Sequence, residues 1–361
     1  MKKHNGAIDF LKFLFALMIV IFHGRSLGSP EAPLFRTGKI GVEFFFIVSG
    51  YLMAAKAEQV SRKPDLRVGS ETAVYLIKKV KTLLPHTLLA FAIIWVVTGV
   101  FHDNPVAYLK NSIYSIWEVS FLWMSGLGTT LLNRQTWYLS SMLLAMLVLF
   151  PLAISNFDRF SKAIAPAIAI FLLGWIAYAQ GALGDSKDTG WTGITHTGNV
   201  RAIAEISLGC VSYVVAKRLQ LLNLTNLGRC CLSVIEILCY SLAALGANTK
   251  EQVLLFVLIP VLWVAITITF SQKSVFYNFF NKKLFYWLGN FGTILYLNHL
   301  VVRTILVNLK LEMGYWKQLS IYVLCSMLLS VACMYLVKGL LLFWQKEGYQ
   351  ITKLFIADNG R

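Results

Sequence analysis

His23 and Glu43 stand in the first two apolar stretches of the chain, late in one and early in the next. An imidazole beside a carboxylate is the minimal equipment for general-base chemistry. The ring takes a proton near neutral pH, and the carboxylate steadies the cation that forms. Ionisable groups inside a bilayer are costly, so those present there are candidates for function. A second histidine, His299, lies late in another apolar stretch, with Arg303 one turn further on. Trp137 and Tyr138 open a fourth. A chain that crosses and recrosses a membrane brings all six residues to one depth. Together they offer a base, a carboxylate, a second imidazole, a guanidinium and two aromatic rings.

A second group is basic. Lys78, Lys79 and Lys81 precede the third apolar stretch. Positive charge at a helix start opposes the helix dipole, which suits a contact with phosphates. Anchoring a span at a membrane surface calls for the same residues, so both readings stand. Lys12 precedes His23 by 11 residues. On a helix that separation is about 20° around the axis and about 16 Å along it. The two form one polar stripe that could line a passage.

The elements that must position these groups are legible from composition. The chain is 57% apolar and only 14% charged. Soluble domains carry about 25% charge. The apolar residues fall in blocks of about 17 to 25, enough to cross a hydrocarbon core. These features predict an all-α polytopic membrane protein of about ten spans. The spans fall at roughly 8–24, 39–55, 83–101, 136–154, 163–181, 200–216, 229–246, 252–270, 284–308 and 318–344. An even number leaves both termini on one side. Most of the 33 Lys and Arg lie in the tails and in the loops of that side, which makes it the cytoplasm. The spans would form one domain over 1–345, followed by a short cytoplasmic tail over 346–361. Residues 105–123 are apolar but interrupted by Lys110, Asn111 and Glu118. They read as an interfacial or re-entrant helix, with an eleventh span as the alternative.

The net charge of +16 sorts into particular loops, which speaks against nucleic acid as a partner. The six cysteines show no zinc spacing and read as packing residues, with no metal expected.

At these same residues the sequence resembles the acyltransferase-3 family of integral membrane O-acyltransferases. Ile8-Asp9-Phe-Leu-Lys12 followed by His23 is similar to the family's basic-residue, ten-residue gap, His pattern. Gly41-Val-Glu43-Phe-Phe-Phe-Ile-Val-Ser49-Gly50-Tyr51-Leu resembles its second-helix signature. Lys78 to Pro85 resembles the basic start of its third helix, Trp137-Tyr138-Leu-Ser140 its W-F/Y-L-S segment, and Leu288 to His299 its L-G-x-x-S-Y-x-L/I-Y-L-x-H segment, in the expected order. Two departures keep charge but lose bidentate recognition: Lys12 stands where the family has Arg, and Lys78 and Lys81 replace its Arg pair.

The resemblance implies transfer of an acyl group, mostly acetyl, from cytoplasmic acyl-CoA to a hydroxyl of an extracytoplasmic carbohydrate. His23 would be the essential residue, with Glu43 steadying its cation. The lysines, Lys12 included, would meet acyl-CoA. His299, Arg303, Trp137 and Tyr138 would form the oxyanion or acceptor site. The acceptor would be a cell-envelope glycan or lipid-linked oligosaccharide at a bacterial cytoplasmic membrane. Direct transfer and an acetyl-His23 route both remain open. A transporter or flippase is the competing reading, because a polar stripe through a helix bundle serves it equally well.

Overall fold

The structure is a computed structural model that describes residues 5–27, 34–128, 131–181, 189–249 and 254–358. Among the described residues, nine helices are long and apolar enough to cross a membrane. They are α1 (Gly6–His23, extended by one tighter turn to Leu27), α2 (Ile40–Ser61), α3 (Val68–Val100), α4 (Thr136–Ser155) and α5 (Phe157–Ala179). Then come α6 (Thr197–Leu221), α7 (Asn226–Gly246), α9 (Lys283–Leu309) and α10, which starts at Tyr315. Between α7 and α9 lies α8 (Leu254–Ser271), apolar but shorter. Each of the ten expected spans is therefore a helix. The first two residues of the eighth, 252–253, lie outside the described residues. So do 182–188 of the outer loop.

Two boundaries differ from the expectation. The third helix begins at Val68, about four turns before the apolar stretch that marks it. Lys and Glu are good helix formers, so the polar segment carrying Lys78 and Lys79 continues the helix without being apolar. The last helix also runs through the expected boundary at 345 and continues to Asp358.

Residues 105–123 do not cross. Pro105–Ser112 is an eight-residue helix, about 12 Å long, far short of a bilayer core. Asn104 caps it by accepting from Ala107 N at 3.0 Å, and Pro105 suits its first turn. A second short helix, Ile116–Val119, follows. Trp95 Nε1 on α3 donates to Ser112 Oγ at 2.8 Å and ties this ledge to the bundle. Val106, Leu109, Ile113 and Ile116 stay exposed, as in a helix lying along an interface.

Small residues set the two crossings that build the interior. A Cβ on Gly50 of α2 would stand 2.1 Å from Ile206 O, and one on Gly209 of α6 would stand 2.1 Å from Ile47 O. Neither site accepts any side chain, so α2 and α6 touch backbone to backbone. On the other side, a Cβ on Gly292 of α9 would lie 2.8 Å from Phe13 Cα of α1. This second crossing lays α9 along α1. It brings their histidines to the same level.

Candidate active site

His23 is the last residue of α1, and His299 comes from the middle of α9. Their ring centroids are 5.3 Å apart. The side-chain amide nitrogen of Gln135, one residue before α4, lies 2.8 Å from His23 Nε2. An amide N–H can only donate, so His23 Nε2 accepts and the ring proton sits on Nδ1. His299 is fully buried. Its Nδ1 faces Leu295 O at 3.3 Å, and its Nε2 has no hydrogen-bond partner among the described residues. Arg303, one turn beyond on the same helix, donates from Nε to Ser26 Oγ at 2.6 Å. Ser26 Oγ in turn reaches the carbonyl of His23 at 3.2 Å. Arg303 and the exposed Arg134 bring positive charge to this group.

The expected pairing of His23 with Glu43 is not what the structure shows. Glu43 is ion-paired with Arg201 of α6. Arg201 Nε also donates to Glu205 Oε1 at 3.1 Å. Glu43, Arg201 and Glu205 are all at 0% exposure. The backbone contact between α2 and α6 explains the placement, because it turns Glu43 towards the helix it packs on. Trp137 belongs with this second group too. Its ring lies 6.0 Å beneath the Arg201 guanidinium and 6.2 Å from Phe46. Neither Glu43 nor Trp137 is among the contacts of His23. Arg201 and Glu205 went unnoticed in the sequence, although they were legible. An Arg and a Glu one turn apart inside an apolar span need partners, and Glu43 is another buried charge to be matched.

Tyr138 lies between the two groups. Its hydroxyl is 3.3 Å from Ser49 Oγ, and its ring is 5.8 Å from that of Tyr296. Tyr296 OH donates to the Gln135 carbonyl at 3.0 Å. These two tyrosines also close one end of a cavity of about 760 Å³. That volume falls within the range of about 300–1,000 Å³ typical of small-molecule sites.

The cavity has two characters. Lys56, Lys78 and Lys79 line one part, with Gln59 and Thr82 beside them. Val48, Leu52, Leu139 and Met142 line the stretch that leads towards Tyr138 and Tyr296. Lys12 also faces the cavity, and its Nζ is held 2.9 Å from Asp9 Oδ1. Lys81 is exposed and outside the lining. Lys56 was not anticipated, since nothing in its local sequence separates it from the other loop lysines. Among the described residues, no group of three or more His, Cys, Asp or Glu is placed to hold a metal ion.

The end of the cavity at Tyr296 thus connects, through Gln135, to the ring of His23. The model of the acyltransferase-3 family, described as an acyltransferase domain, matches residues 5–339. The chain belongs to this acyltransferase family. No curated protein and no solved structure matches it. The matched region holds the cavity, both histidines and the buried ion cluster, so all three belong to the acyltransferase domain. Membership of this family also sets aside the transporter reading.

Proposed function

We propose that this acyltransferase moves an acetyl group from cytoplasmic acetyl-CoA to a hydroxyl of a cell-envelope carbohydrate on the opposite side of a bacterial cytoplasmic membrane. One observation carries the reading. The cavity is lined by lysines, then by an apolar stretch, then by a tyrosine bonded to the residue that holds His23. Acetyl-CoA has the matching order of parts: phosphates, a long thin arm, then the thioester. Lys56, Lys78 and Lys79 bind the phosphates, and the arm lies along Val48, Leu52 and Leu139. Charge-assisted contacts of this kind are the strong ones in a site open to water.

His23 Nε2 is the base. Its lone pair is the one Gln135 now addresses, so the acceptor hydroxyl takes the place of that amide N–H. The hydroxyl proton passes to Nε2 as the oxygen attacks the thioester carbonyl. A C–O bond forms and an oxyanion develops on the former carbonyl oxygen. Arg303 and the Tyr138 hydroxyl are the nearby groups suited to steady it. The C–S bond then breaks, and the imidazolium returns its proton to the CoA thiolate. The asymmetry of loop charge, which places the lysine mouth inside, supports the sidedness.

The test uses host membranes with and without the chain, incubated with radiolabelled acetyl-CoA. The expected result is label in a base-labile ester on envelope glycan. That label should depend on the chain and be lost in His23→Ala. Label on no carbohydrate, or equal label with His23→Ala, contradicts the proposal.

A further inference from the structure

Glu118 lies on the interfacial ledge, in the short helix Ile116–Val119, and is 1% exposed. Among the described residues, no cation hydrogen-bonds to it; its partners there are neutral donors. Its carboxylate accepts from Leu132 N at 2.8 Å and from Asn133 N at 3.0 Å, and it shares the Thr136 hydroxyl proton, at 3.0 Å, with Asn133 O at 2.7 Å. Those donors form the segment that leads into α4. A carboxylate at a helix start is favoured by the dipole, and three donated bonds satisfy most of its lone pairs. Even so, a buried carboxylate without a cation is an expensive way to hold a loop.

The segment the donors belong to, residues 132–136, also reaches the histidine layer. Asn133 Nδ2 donates to Leu297 O at 3.0 Å, fixing the segment to α9. Tyr296 OH donates to the Gln135 carbonyl at 3.0 Å. The Gln135 amide then meets His23 Nε2 at 2.8 Å. Each link is a single hydrogen bond, and Glu118 is the anchor at the far end. The Gln135 amide decides which ring nitrogen of His23 carries the proton, and a shift of the segment would release that choice. Substituting Gln for Glu118 would keep the shape but turn an NH₂ group towards a backbone N–H.

We propose that Glu118 is a positioning residue for His23: its carboxylate holds the 132–136 segment so that Gln135 sets the orientation and tautomer of the imidazole in the free enzyme, before the acceptor hydroxyl displaces the Gln135 amide. This rests on the reading of His23 as the base. Burial pushes the Glu118 carboxyl up to about 7, while the three donors pull it back down, so much of it is anionic near neutral pH.

The test is a double-mutant cycle on the full chain in detergent at pH 8, read in two ways. One readout is the rate at which diethyl pyrocarbonate modifies His23, followed by mass spectrometry of its peptide. The other is kcat and KM with acetyl-CoA. Glu118→Gln and Gln135→Ala should each speed modification by a similar factor. The double variant should match Gln135→Ala alone, since a residue acting through another adds nothing once that other is gone. The apparent kcat at subsaturating acceptor should fall about tenfold in both single variants, because part of the free enzyme then presents the wrong ring nitrogen to the acceptor. KM for acetyl-CoA should move by less than about twofold, since the donor cavity is untouched. Glu118→Asp should fall between wild type and Glu118→Gln.

A wild-type modification rate in Glu118→Gln, or effects that multiply in the double variant, would overturn the proposal. If Glu118→Gln fails to insert, Thr136→Val removes a donor to the same carboxylate and takes its place in the cycle, with the same outcomes. Should the wild-type protein transfer no acetyl group, the base assignment fails, yet the modification rates still decide whether Glu118 acts on His23 through Gln135.

Discussion

Two clusters of ionisable side chains sit among the spans, and they are built in opposite ways. Glu43, Arg201 and Glu205 have no exposure and meet each other as ion pairs. They tie α2 to α6 at the crossing where Gly50 and Gly209 meet backbone. His23 is only half-buried, and its ring is held by a neutral amide. His299 beside it keeps a nitrogen with no hydrogen-bond partner among the described residues. The first cluster is closed: two carboxylates share one guanidinium, and none of the three side chains is exposed. The second is open, with a basic lone pair that a hydroxyl can claim. Charge inside a membrane therefore does not by itself mark catalysis. A general base needs a lone pair that can be vacated, and an ion pair spends that capacity on its partner.

The contrast can be broken most severely at His23. His23→Ala should lower kcat by about a thousandfold, the scale of losing a positioned base. Its apparent unfolding temperature in detergent should stay within about 4 °C of wild type, since the side chain contributes one hydrogen bond. A variant that loses fold and activity together would make the open cluster structural as well.

The closed cluster should behave the other way. Arg201→Ala leaves Glu43 and Glu205 buried without their cation, at a cost of about 3–5 kcal/mol. The yield of monodisperse protein measured by size-exclusion chromatography should collapse. A well-folded Arg201→Ala protein with low kcat and normal thermal stability would move this cluster into the chemistry.

The cavity lysines sharpen the comparison at its donor side. Lys78→Ala with Lys79→Ala should raise KM for acetyl-CoA several-fold and leave kcat at saturation nearly unchanged. The effect should shrink as salt is raised, because exposed phosphate contacts are screened over about 8 Å at physiological ionic strength. Lys81→Ala, outside the lining, should leave that KM as it was. Topology must be checked in each variant, since these residues also serve as membrane anchors. Equal effects at all three positions would assign them to anchoring alone.

The smallest effect concerns Glu118. Its folded-state pKa of about 7 lies above the usual carboxylate value of 4.5, so the folded protein holds the proton more tightly than the unfolded chain. Stability from this group is therefore present at low pH and is lost as pH rises from about 4.5 through 7. Across that window the unfolding temperature of wild type should fall by a few degrees relative to Glu118→Gln. A flat difference would mean that the carboxylate is better compensated than its burial implies.

Much of this was legible in the sequence because the signal was local. Apolar blocks give ten helices whatever their neighbours are. His23, His299 and Arg303 stand out as ionisable groups within such blocks, and the even spacing of crossings brings their ends together. Helix geometry put Lys12 on one stripe with His23, and the family resemblance joined Lys78 and Lys79 to the same path. What escaped was partner choice. Glu43 goes to Arg201 because of a glycine crossing between α2 and α6, a contact between segments about 160 residues apart. Gln135 carries no charge and lies just outside a span, so nothing in composition marks it as the residue that holds His23. Lys56 reaches the cavity from α2, whereas Lys78 and Lys79 reach it from α3, which packs on α4 and α9, so local sequence could not join them. The ledge carrying Glu118 read as an interruption of an apolar run, whereas burial turns that interruption into an anchor.

The central claim is that one cavity delivers the donor from the lysine mouth to the tyrosines below His23. The most direct measurement is a structure of the protein with acetonyl-CoA, a thioether analogue that cannot transfer its acyl group. The account predicts phosphate density against Lys56, Lys78 and Lys79 and the ketone beside Tyr138 and Tyr296, on the His23 side of the cavity. Ordered analogue whose carbonyl end points away from Tyr296, or which binds outside this cavity, would contradict it.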